Sequence, residues 1–424
     1  MTELRNLSLH VGSFSRAFNS TVYGVFAFIL ADVFFPLDIE PYLRIVASFG
    51  AFAAGLFAQP VGGLIFGYLG DKFGLPFVIK SVFFVTGTST LGMAFLPSYA
   101  QVGFISPLLL VMFRVIQGLS YGACYVATTL CVSDRATVGE KTRKTSEIIV
   151  VGLLGSITAM GLGALLNKYG FPSWSWRIVF GVGGVLALFA SRTVPKVEGQ
   201  GNIISVKYID LYREIKSHPL KFISAMLVAG SGVMPLYVGL YFGNHLMAQS
   251  GITKEAIFSN NMSLMALNSL FILFFGRLFS TVSLRKAGLI SSSWWFIMCG
   301  LGQLIINMDQ NYAQNHVPIN HLFAGCIFFV LATSPVASFS MPYLSTIFSG
   351  KNRFTLIAFA VTLGYAFLGG CAPNISLFFW NHDPLKALFD SNVSLLFFVI
   401  VPIAITSGFL ISKYVPKPNS IGKF

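Results

Sequence analysis

Acidic residues are scarce in this chain. Its 424 residues hold 15 Asp and Glu against 28 Lys and Arg, and charged residues of both signs make up only 10%. A soluble domain carries about 25% charged residues, so water cannot solvate this composition. Cysteine pairs are missing too. Cys124, Cys131, Cys299, Cys326 and Cys371 each sit in an apolar run, and no C-x-x-C occurs. That pattern argues against a disulfide framework or a thiolate metal site and predicts reduced packing residues. The six histidines are scattered without metal-ligand spacing. No His/Asp/Glu cluster and no nucleophile with a base can be found, so no enzyme chemistry, metal or cofactor is expected. The first apolar run is followed by no small-residue cleavage site and polar mature region. It therefore reads as a retained helix, not a cleaved signal.

What the chain does have is apolar length. Hydrophobic residues make up 55%, with 43 phenylalanines, a composition that lipid can solvate. A spanning helix needs about 20 apolar residues. Twelve runs meet this: 17–36, 45–69, 77–96, 103–132, 147–167, 175–195, 220–243, 258–280, 287–307, 321–347, 354–380 and 392–413. The longest soluble stretch, 196–219, divides them six and six. The expected organisation is an N-terminal six-helix bundle over 1–195, a cytoplasmic linker over 196–219 and a C-terminal six-helix bundle over 220–424.

Positive charge sorts across these runs. With the N-terminus inside, the outer segments hold only Arg44, Lys168, Lys254 and Lys386. The inner segments take clusters such as Lys141, Arg143 and Lys144, or Lys207, Arg213 and Lys216. This asymmetry places both termini in the cytoplasm of a multi-pass membrane protein. It also disposes of nucleic acid as a partner, because the basic balance is topology. Membrane lipid and a small molecule are the expected partners, and a monomer is the expected state.

After the second run comes 67-GYLGDKFG-74. Gly67, Gly70 and Gly74 allow a tight turn and close approach of helix ends. Asp71 and Lys72 put charge at the inner helix end, where a carboxylate can pair with basic residues or meet a helix N-terminus. The stretch reads either as an ordinary helix-end turn or as a conformational gate. A weaker copy, 276-GRLFSTVSLRK-286, has Ser280 where the Asp would be. A motif repeated after the second helix of each half implies two six-helix repeats.

This pattern resembles the major facilitator superfamily over nearly the whole chain. Within it, 55-GLFAQPVGGLIFGYLGDKFG-74, 96-LPSYAQVGFISPLLLVMFRVIQG-118, 174-WSWRIVF-180 and 363-LGYAFLGGCAP-373 resemble, in the correct order, segments of the metabolite:proton symporter family. That family includes proline/betaine, citrate, shikimate and 2-oxoglutarate transporters. The resemblance implies an all-α fold of twelve transmembrane helices in two pseudo-symmetric six-helix bundles. It implies a secondary active transporter of a small polar organic solute (amino acid, betaine or organic acid) in the bacterial inner membrane.

The departures from the family concern charge. Arg16 and Asn19 stand where the family has Glu and Asp. Cys124 and Thr346 replace two further acids, and Gln59 replaces an Arg. Counted without any family, none of the 15 acids lies near the middle of a spanning run. Asp32, about one turn inside the outer end of the first helix, is the one possible proton site. The function is therefore family-like symport with its usual acids missing, a proton-independent facilitator or exchanger, or a transporter-derived sensor that moves nothing.

Arg114 is the one strong charge near mid-helix, and burying it costs about 2.5–3.5 kcal/mol on insertion scales. Arg114, Gln117, Tyr121 and Cys124 step by three, four and three, so they share a helical face. Arg16, Asn19, Tyr23 and Phe26 repeat that spacing in the first helix, and both stripes are expected to line a cavity. Two readings of Arg114 stand: a structural contact with neighbouring carbonyls, or an anion site that holds a carboxylate bidentately. Tyr237 and Tyr241, one turn apart beside Pro235, are either packing or a second set of substrate contacts.

Overall fold

The computed structural model describes residues 2–137, 139–169, 174–194, 208–242, 251–307 and 319–372, with Pro172, Met247 and Ile375 as isolated positions. Among these residues every regular element is a helix. The long helices are α1 (Thr2–Phe34), α2 (Pro41–Phe73), α3 (Leu75–Ala94), α4 (Ile105–Arg135), α5 (Lys141–Lys168), α6 (Trp176–Thr193), α7 (Pro219–Ser231), α8 (Lys254–Ser280), α9 (Leu284–Asn307), α10 (Ile319–Ile347) and α11 (Arg353–Gly364). Ten of the described helices are long and apolar enough to cross a bilayer. Helix α6, at 18 residues, occupies the sixth predicted run. The twelfth run and the end of the eleventh lie outside the described residues.

The predicted runs and the helices agree closely, with two physical differences. Helix α1 begins far ahead of its apolar run, because nothing in the polar stretch after Thr2 breaks a helix. The seventh run is broken. Helix α7 ends at Ser231, a short helix follows over Met234–Tyr237 with Pro235 in its first turn, and a π-helical turn completes the segment over Val238–Phe242. Proline cannot continue the hydrogen-bond ladder, and a kink there is the expected result. The continuation of α11 is also π-helical, over Tyr365–Gly370.

Packing divides the chain into two compact units. One takes residues 1–131, 148–211 and 350–362, and the other 132–147, 212–349 and 363–424. In the first unit, α6 packs on α1 and α3. The core there holds Phe18, Tyr23, Phe26, Leu30, Phe34 and Trp176. Helices α2 and α4 cross backbone to backbone. A Cβ on Gly118 would fall 2.0 Å from the Gly55 carbonyl oxygen, and one on Gly122 2.0 Å from that of Gln59. Only glycine allows this approach, the usual device of helix packing in lipid. It sets Arg114 one turn from the crossing. Phe57, Phe84 and Phe104 are 69%, 55% and 76% exposed, an apolar surface of the kind lipid can solvate.

In the second unit, α10 packs on α8 and α9. Ser334 donates to the Asn268 side-chain oxygen at 2.6 Å, and Trp295 donates to the Ser231 carbonyl at 2.7 Å. These bonds tie polar groups together inside an apolar bundle, where an unpaired one is costly.

Candidate functional site

Arg114 is 3% exposed. Its guanidinium carbon lies 4.2 Å from the centre of the Tyr23 ring and 4.9 Å from that of Phe52. One guanidinium nitrogen donates to the Gln117 side-chain oxygen. Gln117 in turn donates to Thr90 Oγ1 on α3 at 2.7 Å, and Thr90 donates to the Thr86 carbonyl at 2.7 Å. Tyr23 is fixed as well, because its hydroxyl donates to the Ser48 carbonyl at 3.0 Å. Four helices thus orient one guanidinium.

Magnitudes say what this arrangement does. Each cation–π contact is worth about 0.5–2 kcal/mol, more when desolvated. Two rings and a charge-assisted hydrogen bond offset much of the roughly 2.5–3.5 kcal/mol insertion cost. The guanidinium is therefore held in place without a bound anion. A planar fork preorganised in this way can take a carboxylate bidentately.

The four-residue stripe on α4 does not act as one face. Gln117 turns towards α3. Tyr121, 7% exposed, has its hydroxyl buried with no hydrogen-bond partner. Cys124 is fully buried and lies near Arg16 electrostatically. The α1 stripe splits too. Tyr23 meets Arg114, whereas Asn19 donates to the Gly183 carbonyl of α6 at 3.0 Å and to Ser15 Oγ at 3.2 Å. Phe26 is buried in the core. Phe52 and Thr90 complete the Arg114 shell and carry no sequence signal, since one is an ordinary apolar residue and the other an ordinary helix threonine.

Asp32 stands elsewhere. Its carboxylate is 3.3 Å from the Arg44 guanidinium, and its side chain is 65% exposed. The ion pair links the C-terminal end of α1 to the N-terminal end of α2. Tyr237 approaches the π-helical turn after α11, where a Cβ on Gly369 would fall 3.1 Å from its ring. The side chain of Tyr241 lies outside the described residues.

The glycine motif builds a second locus within the first unit. Asp71 accepts from the backbone N–H groups of Phe354 and Thr355, each at 2.9 Å, and from the Thr355 hydroxyl. It therefore caps the N-terminus of α11, where orphan donors and the helix dipole favour a carboxylate. The glycines give α11 room. A Cβ on Gly67 would fall 2.8 Å from Thr355 Cα, and one on Gly70 2.2 Å from the Phe354 ring. Gly74 has φ 88° and ends α2 by donating to the Gly70 carbonyl at 2.8 Å. Lys72 lies 5.2 Å from the Phe73 ring. The weaker copy packs alike without the carboxylate. In the second unit, a Cβ on Gly276 would meet Ser146 Oγ at 2.4 Å, while Ser280 donates to the Arg277 carbonyl of its own helix.

Among the described residues, no three His, Cys, Asp or Glu side chains gather as metal ligands. Among the described residues the five cysteines form no disulfide.

Comparison with known proteins agrees with this architecture. The family model described as "Sugar (and other) transporter" matches residues 6–198. The chain is 28% identical over 186 residues to the proline/betaine transporter of Salmonella typhimurium, covering 42% of this chain and 37% of that one. That match thus spans little more than a third of the relative's length. A putative proline/betaine transporter of Staphylococcus haemolyticus is 26% identical over 385 residues, covering 86% of this chain and 79% of that one. Among solved structures, the proton:xylose symporter XylE bound to 6-bromo-6-deoxy-D-glucose superposes with a TM-score of 0.77 at 17% identity, covering 97% of this chain and 95% of that one. At that identity the likeness is one of fold.

Proposed function

We propose that this chain, which belongs to the major facilitator superfamily, carries a small carboxylate-bearing organic solute across the bacterial cytoplasmic membrane by alternating access. Arg114 carries the reading. It is a buried guanidinium, held by Tyr23, Phe52 and Gln117, with Thr90 behind Gln117, so that four helices converge on it. A carboxylate would take up its charge with paired hydrogen bonds. A neutral sugar would leave the charge uncompensated.

Asp71 and Gly67, Gly70 and Gly74 serve as the conformational gate in this reading. The carboxylate cap on α11 forms in one state, and the cycle requires it to break and re-form. Lys72 supports the same end of α2. In this reading both termini lie in the cytoplasm, which the distribution of positive charge supports.

Coupling to protons through a membrane-embedded carboxylate is not part of the reading. Asp32 is exposed and already ion-paired with Arg44, and Asp71 is engaged as a cap. The solute gradient itself is the driver, giving facilitated diffusion or exchange. A competition panel tests the function. Cells expressing the chain should take up a labelled organic acid, and other carboxylates should compete while sugars and amines do not. Competition by sugars, with carboxylates inert, would overturn the reading.

A further inference from the structure

Arg16 is a second guanidinium inside the first unit. It stands on α1 one turn before Asn19 and is partly buried. Its guanidinium carbon lies 5.6 Å from the centre of the Tyr125 ring. A Cβ built on Gly152 would fall 3.7 Å from its Nη2, so the group also reaches α5. Its Nε is buried without a hydrogen-bond partner. Among the described residues Arg16 makes no ion pair.

The Tyr121 hydroxyl connects this group to the first site. It lies within electrostatic reach of both Arg114 and Arg16, and it too is buried without a hydrogen-bond partner. Buried polar groups are almost always paired, and an orphan in a native structure calls for a ligand or water to complete it. The spacing is readable from the helices. Arg114 stacks on Tyr23, and Arg16 stands two turns from Tyr23 on the same helix. At 1.5 Å per residue the backbone positions of Arg16 and Tyr23 lie roughly 10 Å apart along α1, and the long arginine side chains set the final separation of the two charges.

We propose that Arg16 and Arg114 form a two-ended anion site, joined by the Tyr121 hydroxyl, that takes a small dianion such as a dicarboxylate with a short carbon spacer. This rests on the reading of Arg114 given above. An acid at position 16 would make the pair neutral overall and suit a zwitterion. Arginine makes it doubly positive. A monocarboxylate then neutralises one end and leaves the other bare in a low-dielectric interior. An ammonium-bearing zwitterion is worse, because its cation meets Arg16 with like charge. A dianion satisfies both guanidiniums and gives the Tyr121 hydroxyl an acceptor.

Calorimetry on the purified full-length protein in detergent tests this, with succinate, propionate and glycine betaine as probes. Succinate should bind about ten- to a hundredfold more tightly than propionate, the range for losing one charge-assisted contact. Glycine betaine should bind more weakly than either. Arg16→Gln should bring succinate down to the level of propionate and leave propionate unchanged, and Arg16→Lys should recover part of the loss. Should Arg16→Gln fail to fold, Tyr121→Phe should weaken succinate several-fold and propionate less, so that their ratio narrows. Equal binding of succinate and propionate, or an unchanged ratio in Arg16→Gln or Tyr121→Phe, overturns the proposal. If propionate binding is then abolished by Arg114→Gln, the carboxylate reading of Arg114 survives the failure. If neither acid binds the wild-type protein, both readings fall.

Discussion

The guanidinium carbon of Arg114 lies 4.2 Å from the centre of the Tyr23 ring. The ring covers a charge that the helix could not otherwise bury cheaply, and the contact is worth about 1–2 kcal/mol when desolvated. Tyr23→Leu should therefore weaken binding of a carboxylate substrate about five- to tenfold and lower the melting temperature in detergent. Tyr23→Phe keeps the ring and loses only the bond to Ser48, so binding should stay near wild type. A Tyr23→Leu protein that binds normally would show that the ring does not hold the guanidinium in place.

Asp71 makes a separate prediction. Its carboxylate accepts three hydrogen bonds at the start of α11, and bonds to a charged acceptor are worth about 1.5–3 kcal/mol each. Asp71→Ala should cut the maximal uptake rate about tenfold or more, with ligand affinity in detergent nearly unchanged. An unaltered uptake rate would reduce the motif to a turn.

The topology can be probed by thiol labelling. Cys124, Cys131, Cys299 and Cys326 are buried, which limits the native background. Single cysteines placed near positions 40, 170 and 385 should react with an impermeant reagent in intact cells, and one near 205 should not. The reverse pattern would place the termini outside.

Much of this was legible in the chain, and the reasons are physical. Apolar run length marks a membrane helix with little interference, so α2 to α5 and α8 to α10 fall where the runs predict. The seventh run was expected to be one helix, and the break falls at Pro235, a residue that cannot continue the ladder. The π-helical turn at Tyr365–Gly370 has no such marker. The candidate site was half legible. Helical spacing put Arg114, Gln117, Tyr121 and Cys124 on one face. It could not say that Gln117 reaches α3 or that Asn19 ties α1 to α6, because those depend on which helix lies opposite. Asp71 was legible as a helix-end carboxylate, but its partner, the start of α11, is remote in sequence.

Coupling follows from where the acids lie. Asp32 is 65% exposed and paired with Arg44, whereas a carboxylate that relays protons across a bilayer normally sits in the bundle interior. In proteoliposomes, an imposed inward proton gradient should not drive uphill uptake, and Asp32→Asn should transport as wild type does. Uphill uptake that collapses with a protonophore would show proton symport. If that uptake also vanished in Asp32→Asn, the coupling site would be on α1.

The central claim is that Arg114 reads a carboxylate, and Arg114→Lys tests it most directly. Lysine keeps the positive charge and loses the planar fork. The measurement is counterflow of a labelled organic acid in proteoliposomes, with folding checked by size exclusion. Arg114→Lys should fall about ten- to a hundredfold below wild type, and Arg114→Gln at least as far. Normal counterflow by either correctly folded variant would make Arg114 a structural residue and remove the carboxylate from the substrate.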